Sequence, residues 1–198
     1  MEAVHLHIHS LTPDAAREES LSVAERAQMS SMGLGGRRRN EWIRGRMAAR
    51  LTLVSSFGAA AAARLSLLAE GDGRPRVEGR DDCAVSLSHD GDYFAVAIAH
   101  AAGMRVGVDI CLREHEARLR RILPRLGVCG AGLDVLAQWA AAECFLKVRR
   151  LGVTTLLDTA LTLERTRDGA LVSALGRALP VTLLERTEFV AAWGGELA

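Results

Sequence analysis

Residues 84–110 read AVSLSHDGDYFAVAIAHAAGMRVGVDI, and the fold is decided there. Ala84–His89 and Asp92–Ala99 are two strand-like runs on either side of Asp90-Gly91, and Asp-Gly between such runs is a strong hairpin signal. Gly103 then leads into a third apolar run, Arg105-Val106-Gly107-Val108-Asp109-Ile110, which ends on a carboxylate. Upstream, Val4-His5-Leu6-His7-Ile8-His9 alternates apolar and polar residues, the period of a half-buried strand. Residues 13–32 predict a helix, with Pro13 near its start. After Gly33-Leu34-Gly35-Gly36 a long helical pattern runs from about Asn40 to Leu68, broken near Gly58. Gly71–Asp82 reads as a loop. Downstream, 114–126 and 131–150 read as helices, and Thr154–Trp193 as strands with a turn at Asp168-Gly169.

The two sides of Gly103 echo each other. Trp42, Arg46 and Arg50 are spaced four apart on one helix, and Trp139, Glu143 and Lys147 are spaced four apart on another. Phe94-Ala-Val-Ala-Ile-Ala has a counterpart in Phe189-Val-Ala-Ala-Trp. The expectation is an α+β protein, a pseudo-twofold tandem of two similar α+β halves, 1–103 and 104–198.

Composition narrows the function. In 198 residues, 49% hydrophobic and 25% charged, a compact body is expected and wholesale disorder is excluded. A net charge of +1 with 4% aromatics argues against nucleic acid. No apolar run is long enough to cross a membrane and no signal peptide is visible, so the expected compartment is the cytoplasm. Cys83, Cys111, Cys129 and Cys144 lie far apart without the spacing of a zinc site, and read as reduced, buried or semi-buried thiols. His5, His7 and His9 share one strand face, which is either an exposed polar face or a metal site.

Several residues carry chemistry. Of the 25 basic residues only Lys147 is lysine, which suggests that a point charge is required there in place of arginine's planar fork. On its helix Lys147 follows Glu143 and Trp139 at i, i+4 steps; the plain alternative is an ordinary Glu–Lys helix pair. Asp109 is either a metal-binding carboxylate or a strand-terminal turn or cap. Asp109 and Glu143, with phosphate oxygens, would suit Mg²⁺. Arg37, Arg38, Arg39, Arg44, Arg46 and Arg50 form a phosphate-seeking group or a solvated charge run. His89, at a strand end, is a phosphate donor or a turn residue. Arg113, Arg118, Arg120, Arg121 and Arg125 either receive an acidic partner or form a solvated face.

The segments RRRNEWIRGRMAAR (37–50), GRP (73–75), SLSH (86–89), GVDI (107–110) and WAAAECFLK (139–147), taken in order, resemble the 4′-phosphopantetheinyl transferase superfamily, specifically its larger Sfp-type (surfactin-synthetase-activating) class. The resemblance implies that coenzyme A binds in the cleft between the halves of a monomer. It implies that Mg²⁺ bridges the diphosphate to Asp109 and Glu143, and that a serine of an apo acyl or peptidyl carrier protein attacks the β-phosphorus, releasing 3′,5′-ADP. Glu143 would be the base, Lys147 a phosphate contact, and Arg74, Ser88 and His89 contacts of the nucleotide phosphates. Arg46 or its neighbours, Arg38 among them, would meet the 3′-phosphate. The pathways implied are polyketide, nonribosomal peptide or fatty-acid-like synthesis. Two positions depart from the pattern: Cys111 stands where the family often has a second acid, and Ala142 where its helix often has lysine. A thiol is a poor Mg²⁺ ligand. The alternative is a catalytically degenerate homologue that binds coenzyme A or carrier protein as a scaffold or regulator.

Overall fold

The alternating histidine run forms β1 (His5–Ser10). The computed structural model describes residues 4–198. Helix does not follow at Pro13 as expected. Two single 3-10 turns, Pro13–Ala15 and Glu18–Ser20, precede α1 (Val23–Ser31). The helix starts at Ser22 because Ser22 and Glu25 make a capping box, each satisfying the other's backbone N–H. The next helix, α2 (Gly36–Phe57), begins earlier than Asn40 and ends where Gly58 adopts φ +79°.

A single turn, α3 (Ala59–Ala62), follows. The helical expectation up to Leu68 fails there, because β2 (Leu67–Ala69) pairs with β3 (Pro75–Val77) out of the segment read as a loop. Two residues of α1 explain this. Glu25 accepts from Leu67 N (2.8 Å), and the Gln28 amide both accepts from Ala69 N (2.8 Å) and donates to Ala69 O (2.7 Å). Side chains thus complete the outer edge of a strand too short to be legible on its own.

The hairpin forms, but its turn lies one residue beyond the expected Asp90-Gly91: β4 (Ala84–Asp90) pairs antiparallel with β5 (Tyr93–Ala99), Asp90 opposite Tyr93, leaving Gly91-Asp92 as the turn. Gly91 supplies the positive φ (+56°) that such a turn demands. The sheet order is β1-β5-β4. Ala48, Ala49 and Leu53 of α2 join Val85, Phe94, Val96 and Ile98 in one core. His9 Nε2 lies 2.9 Å from Thr52 Oγ1 on α2, so the histidine face is covered at that end; the exposed-face expectation fails for His9. Burial, then repulsion between neighbouring imidazoles, lowers the pKa of His7 and His9.

The contacts divide the chain into two compact units, one running to Gly103 and the other from Met104 to Ala198. The second unit opens with β6 (Met104–Leu112), followed by α4 (Glu116–Ile122), β7 (Val128–Ala131) and α5 (Val135–Arg149). Helix was expected over 114–126, but α4 is flanked by 3-10 turns at Arg113–His115 and Leu123–Leu126. The remaining strands are β8 (Leu161–Arg165), β9 (Gly169–Ala174), β10 (Arg177–Glu185) and β11 (Phe189–Leu197). They build one sheet ordered β6-β11-β10-β9-β8-β7, antiparallel except for the β7–β8 pair.

The strand order repeats a theme. In each unit the first strand pairs with the last, and the last with the one before it: β1-β5-β4 and β6-β11-β10. Leu136, Ala140, Phe145 and Leu146 of α5 share one core with Leu163, Val172, Leu179 and Val190 of the second sheet. Among the described residues no helix is long and apolar enough to cross a membrane. Cys83, Cys111 and Cys144 are buried free thiols, whereas Cys129 on β7 is exposed, contrary to expectation.

Candidate active site

Glycine 107 decides how close α5 comes to β6. A Cβ there would sit 2.3 Å from Cys144 O and 2.9 Å from Val148 Cγ2, so only glycine admits the helix backbone at this distance. The Cys144 thiol donates to Gly107 O (3.3 Å) across the same contact. The start of α5 is also fixed. Asp134 caps it by accepting from Ala137 N (2.7 Å), and Arg113 Nη1 donates to the same carboxylate (2.7 Å). That contact makes Arg113 a structural partner of α5; Arg118, Arg121 and Arg125 are exposed, and Arg120 pairs with Glu116 (2.6 Å).

Close approach brings three charged groups together. Lys147 Nζ donates to Val108 O (2.7 Å) and to Asp109 Oδ1 (3.0 Å), while Asp109 itself is only 6% exposed. Burial pushes the Glu143 carboxyl above the usual glutamate range; the negative charge of Asp109 adds to this and Lys147 opposes it. Glu143, Lys147 and Trp139 form a half-buried row on α5, flanked by the fully buried Ala140, Ala141 and Ala142. The arrangement can hold a cation against two carboxylates, take up a proton at Glu143, and offer an ammonium to an anion.

The two departures now have places. Cys111 shares the strand face of Asp109 (period two) and is buried in the core beneath α5. Ala142 is fully buried in that core, so a lysine there would have to thread its stem through packed side chains. The neighbourhood is built for alanine. Among the described residues no group of three or more His, Cys, Asp or Glu side chains is arranged to hold a metal, so the protein donors at this site are the two carboxylates. The same finding leaves His5, His7 and His9 without a metal cluster.

The other candidate residues lie on the first unit. Arg46 is not an open phosphate ligand: it is 8% exposed, stacks over the Trp42 ring (4.2 Å) and has its pKa lowered to about 10 by burial, with Glu25 opposing. Arg38 is exposed in the first turn of α2, between Arg37, which pairs with Glu41 (3.6 Å), and Arg39, which pairs with Glu18. Arg74 stands in the turn joining β2 and β3, with its Nε donating to Asp72 (2.7 Å). Ser88 is half-buried and His89 exposed near the end of β4, where the imidazole lies against the Phe94 ring (5.3 Å).

Residues 25–99 match the family model of the 4′-phosphopantetheinyl transferase N-terminal domain. The matched residues all lie within the first unit. The match runs from α1 to the end of β5 and takes in Arg38, Arg46, Arg74, Ser88 and His89. It supports the transferase superfamily that the sequence resembles. It stops before β6, so the carboxylates and Lys147 rest on their geometry. No curated protein matches the chain significantly.

Sequence reasoning passed over two structural determinants of this site. Asp134 has the residue type and position of a helix cap, a legible signal. Gly107 looked like one more residue of an apolar strand, yet isolated glycine within a strand marks close backbone approach. Replacing it tests that role. Gly107→Ala is expected to lower stability by about 2–3 kcal/mol, because the clash is with a backbone carbonyl that no rotamer change relieves. Chemical denaturation reads the loss; an unchanged midpoint would show that α5 has room to retreat.

Proposed function

We propose that this chain is a 4′-phosphopantetheinyl transferase of the Sfp-type class. It would transfer the phosphopantetheine arm of coenzyme A to a serine of an apo acyl or peptidyl carrier protein. The observation that carries the reading is the convergence of Asp109, Glu143 and Lys147 from β6 and α5. The match of residues 25–99 to the transferase N-terminal domain model supports it.

The reaction balances with these groups. The serine oxygen forms a bond to the β-phosphorus, the bond from that phosphorus to the departing 3′,5′-ADP breaks, and Glu143 takes the serine proton. Lys147 meets the diphosphate as a point charge. Arg74, Ser88 and His89 are assigned to the phosphates of the nucleotide. Arg38 and its exposed neighbours on α2 are assigned to the 3′-phosphate, whereas Arg46, buried and stacked on Trp42, is not.

Asp109 and Glu143 are hard oxygen donors, and two carboxylates completed by water and substrate phosphate make a suitable Mg²⁺ site. When bound, the ion would neutralise charge building on the 5′-phosphate as 3′,5′-ADP departs. Cys111 would add nothing to such a site. The chain is proposed to act as a monomer in the cytoplasm, on carriers of polyketide, nonribosomal peptide or related synthesis.

Incubation with coenzyme A, Mg²⁺ and a panel of apo carrier proteins tests this by mass spectrometry. The expected result is a carrier heavier by one phosphopantetheine. Cys111 and Ala142 favour a second reading, a degenerate homologue that holds coenzyme A or carrier without turnover. Calorimetric binding of coenzyme A with no mass gain on any carrier would select that reading.

A further inference from the structure

Lys147 is the only lysine in the sequence, and its ammonium is already engaged. It holds Val108 O at 2.7 Å and Asp109 Oδ1 at 3.0 Å, from a side chain 30% exposed against 9% for that of Asp109. This is a half-buried ion pair on the very carboxylate assigned to a divalent cation above. A cation approaching Asp109 meets a carboxylate whose charge is largely answered.

We infer that Lys147 is a built-in stand-in for the divalent ion, holding Asp109 until a metal displaces it and then turning to the incoming diphosphate. The inference rests on the reading of Asp109 as a metal ligand. A four-carbon stem with a compact ammonium can exchange one anionic partner for another, which a planar guanidinium held by two hydrogen bonds does less readily. That chemistry accounts for lysine here in a chain that otherwise uses arginine. Displacement makes metal alone a weak ligand. A diphosphate then offers the released ammonium a new partner, so the two ligands strengthen each other's binding reciprocally.

The lone lysine makes the test direct. The full chain, labelled with carbon-13 lysine, gives a single ε-methylene resonance, and MgCl₂ is titrated in without nucleotide while calorimetry follows binding. The resonance is expected to move with the calorimetric saturation curve, and Lys147→Met to tighten Mg²⁺ by about fivefold, the order of a partly exposed ion pair. If Mg²⁺ saturates the protein with the lysine resonance unmoved, or binds Lys147→Met no more tightly than the parent, the inference is overturned and Asp109 keeps its role. If Mg²⁺ binds neither form, the inference and the metal site fall together.

Discussion

Glu143→Gln is expected to cut phosphopantetheine transfer by about a hundred- to ten-thousandfold while leaving the protein folded as well as its parent or slightly better. The amide has the shape of the carboxyl it replaces but cannot accept the serine proton. Stability moves the other way for a reason visible in the site. Burial and the Asp109 charge raise the Glu143 pKa, with Lys147 opposing, so the fold disfavours the ionised carboxyl. For a carboxyl raised in the folded state, the stabilising contribution is present below its unfolded pKa and disappears as pH rises through the folded value. Near neutrality the ionised group is therefore a burden on the fold, and the neutral amide removes it.

Two measurements separate this from simple damage. Carrier mass gain reports transfer, and a thermal melt reports the fold. Retention of more than a tenth of the parental rate by Glu143→Gln would remove Glu143 from the role of base. A large loss of thermal stability would instead make it a structural residue.

How much of this was legible depended on how local each signal is. Asp90-Gly91 announced a hairpin because the signal is local, although the turn itself falls on Gly91-Asp92. The spacing of Trp139, Glu143 and Lys147 placed them on one helix face for the same reason. That Lys147 reaches Asp109 was not legible, because the reach depends on an absent side chain at Gly107, far away in sequence. Nor did any period distinguish the arginines of α2. Arg44 is buried, bonded to Leu11 O (2.7 Å) and Asp92 (2.8 Å), and Arg46 is stacked on Trp42, while Arg38 stays exposed. Long-range partners sort them, and an arginine looks the same in sequence whether a carbonyl or solvent receives it. β2 and β3 escaped because their order is imposed by Glu25 and Gln28 from α1. The capping box Ser22-Val23-Ala24-Glu25, by contrast, was there to be read.

That same Glu25 carries the second large effect: Glu25→Ala is expected to lower the stability of the first unit by about 3–5 kcal/mol. The side chain is 1% exposed and ionisable, which is tolerable only because every side of its carboxylate is answered. Oε1 accepts from Leu67 N (2.8 Å); Oε2 accepts from Ser22 N (2.7 Å) and from Arg50 Nη2 (3.0 Å). One carboxylate thereby ties the start of α1 to the middle of α2 and to β2, and Arg50 passes the tie on to Ala62 O (3.1 Å) at the end of α3. Removing it leaves the buried Leu67 N–H without its acceptor and takes from Ser22 N and Arg50 a partly buried one, each at a cost of its own. Glu25→Gln is no rescue, although it fits the space. Whichever end becomes the amide, its N–H groups face a donor, Leu67 N on one side or Ser22 N and Arg50 on the other. Both substitutions should therefore fall on the same side of the parent in urea denaturation, and the Leu67 amide should exchange its hydrogen far faster. A domain typically has about 5–15 kcal/mol in hand, so this single side chain governs a large share of it. Equal stability of Glu25→Gln and parent, within about 1 kcal/mol, would mean that the charge on Glu25 is not what joins these elements.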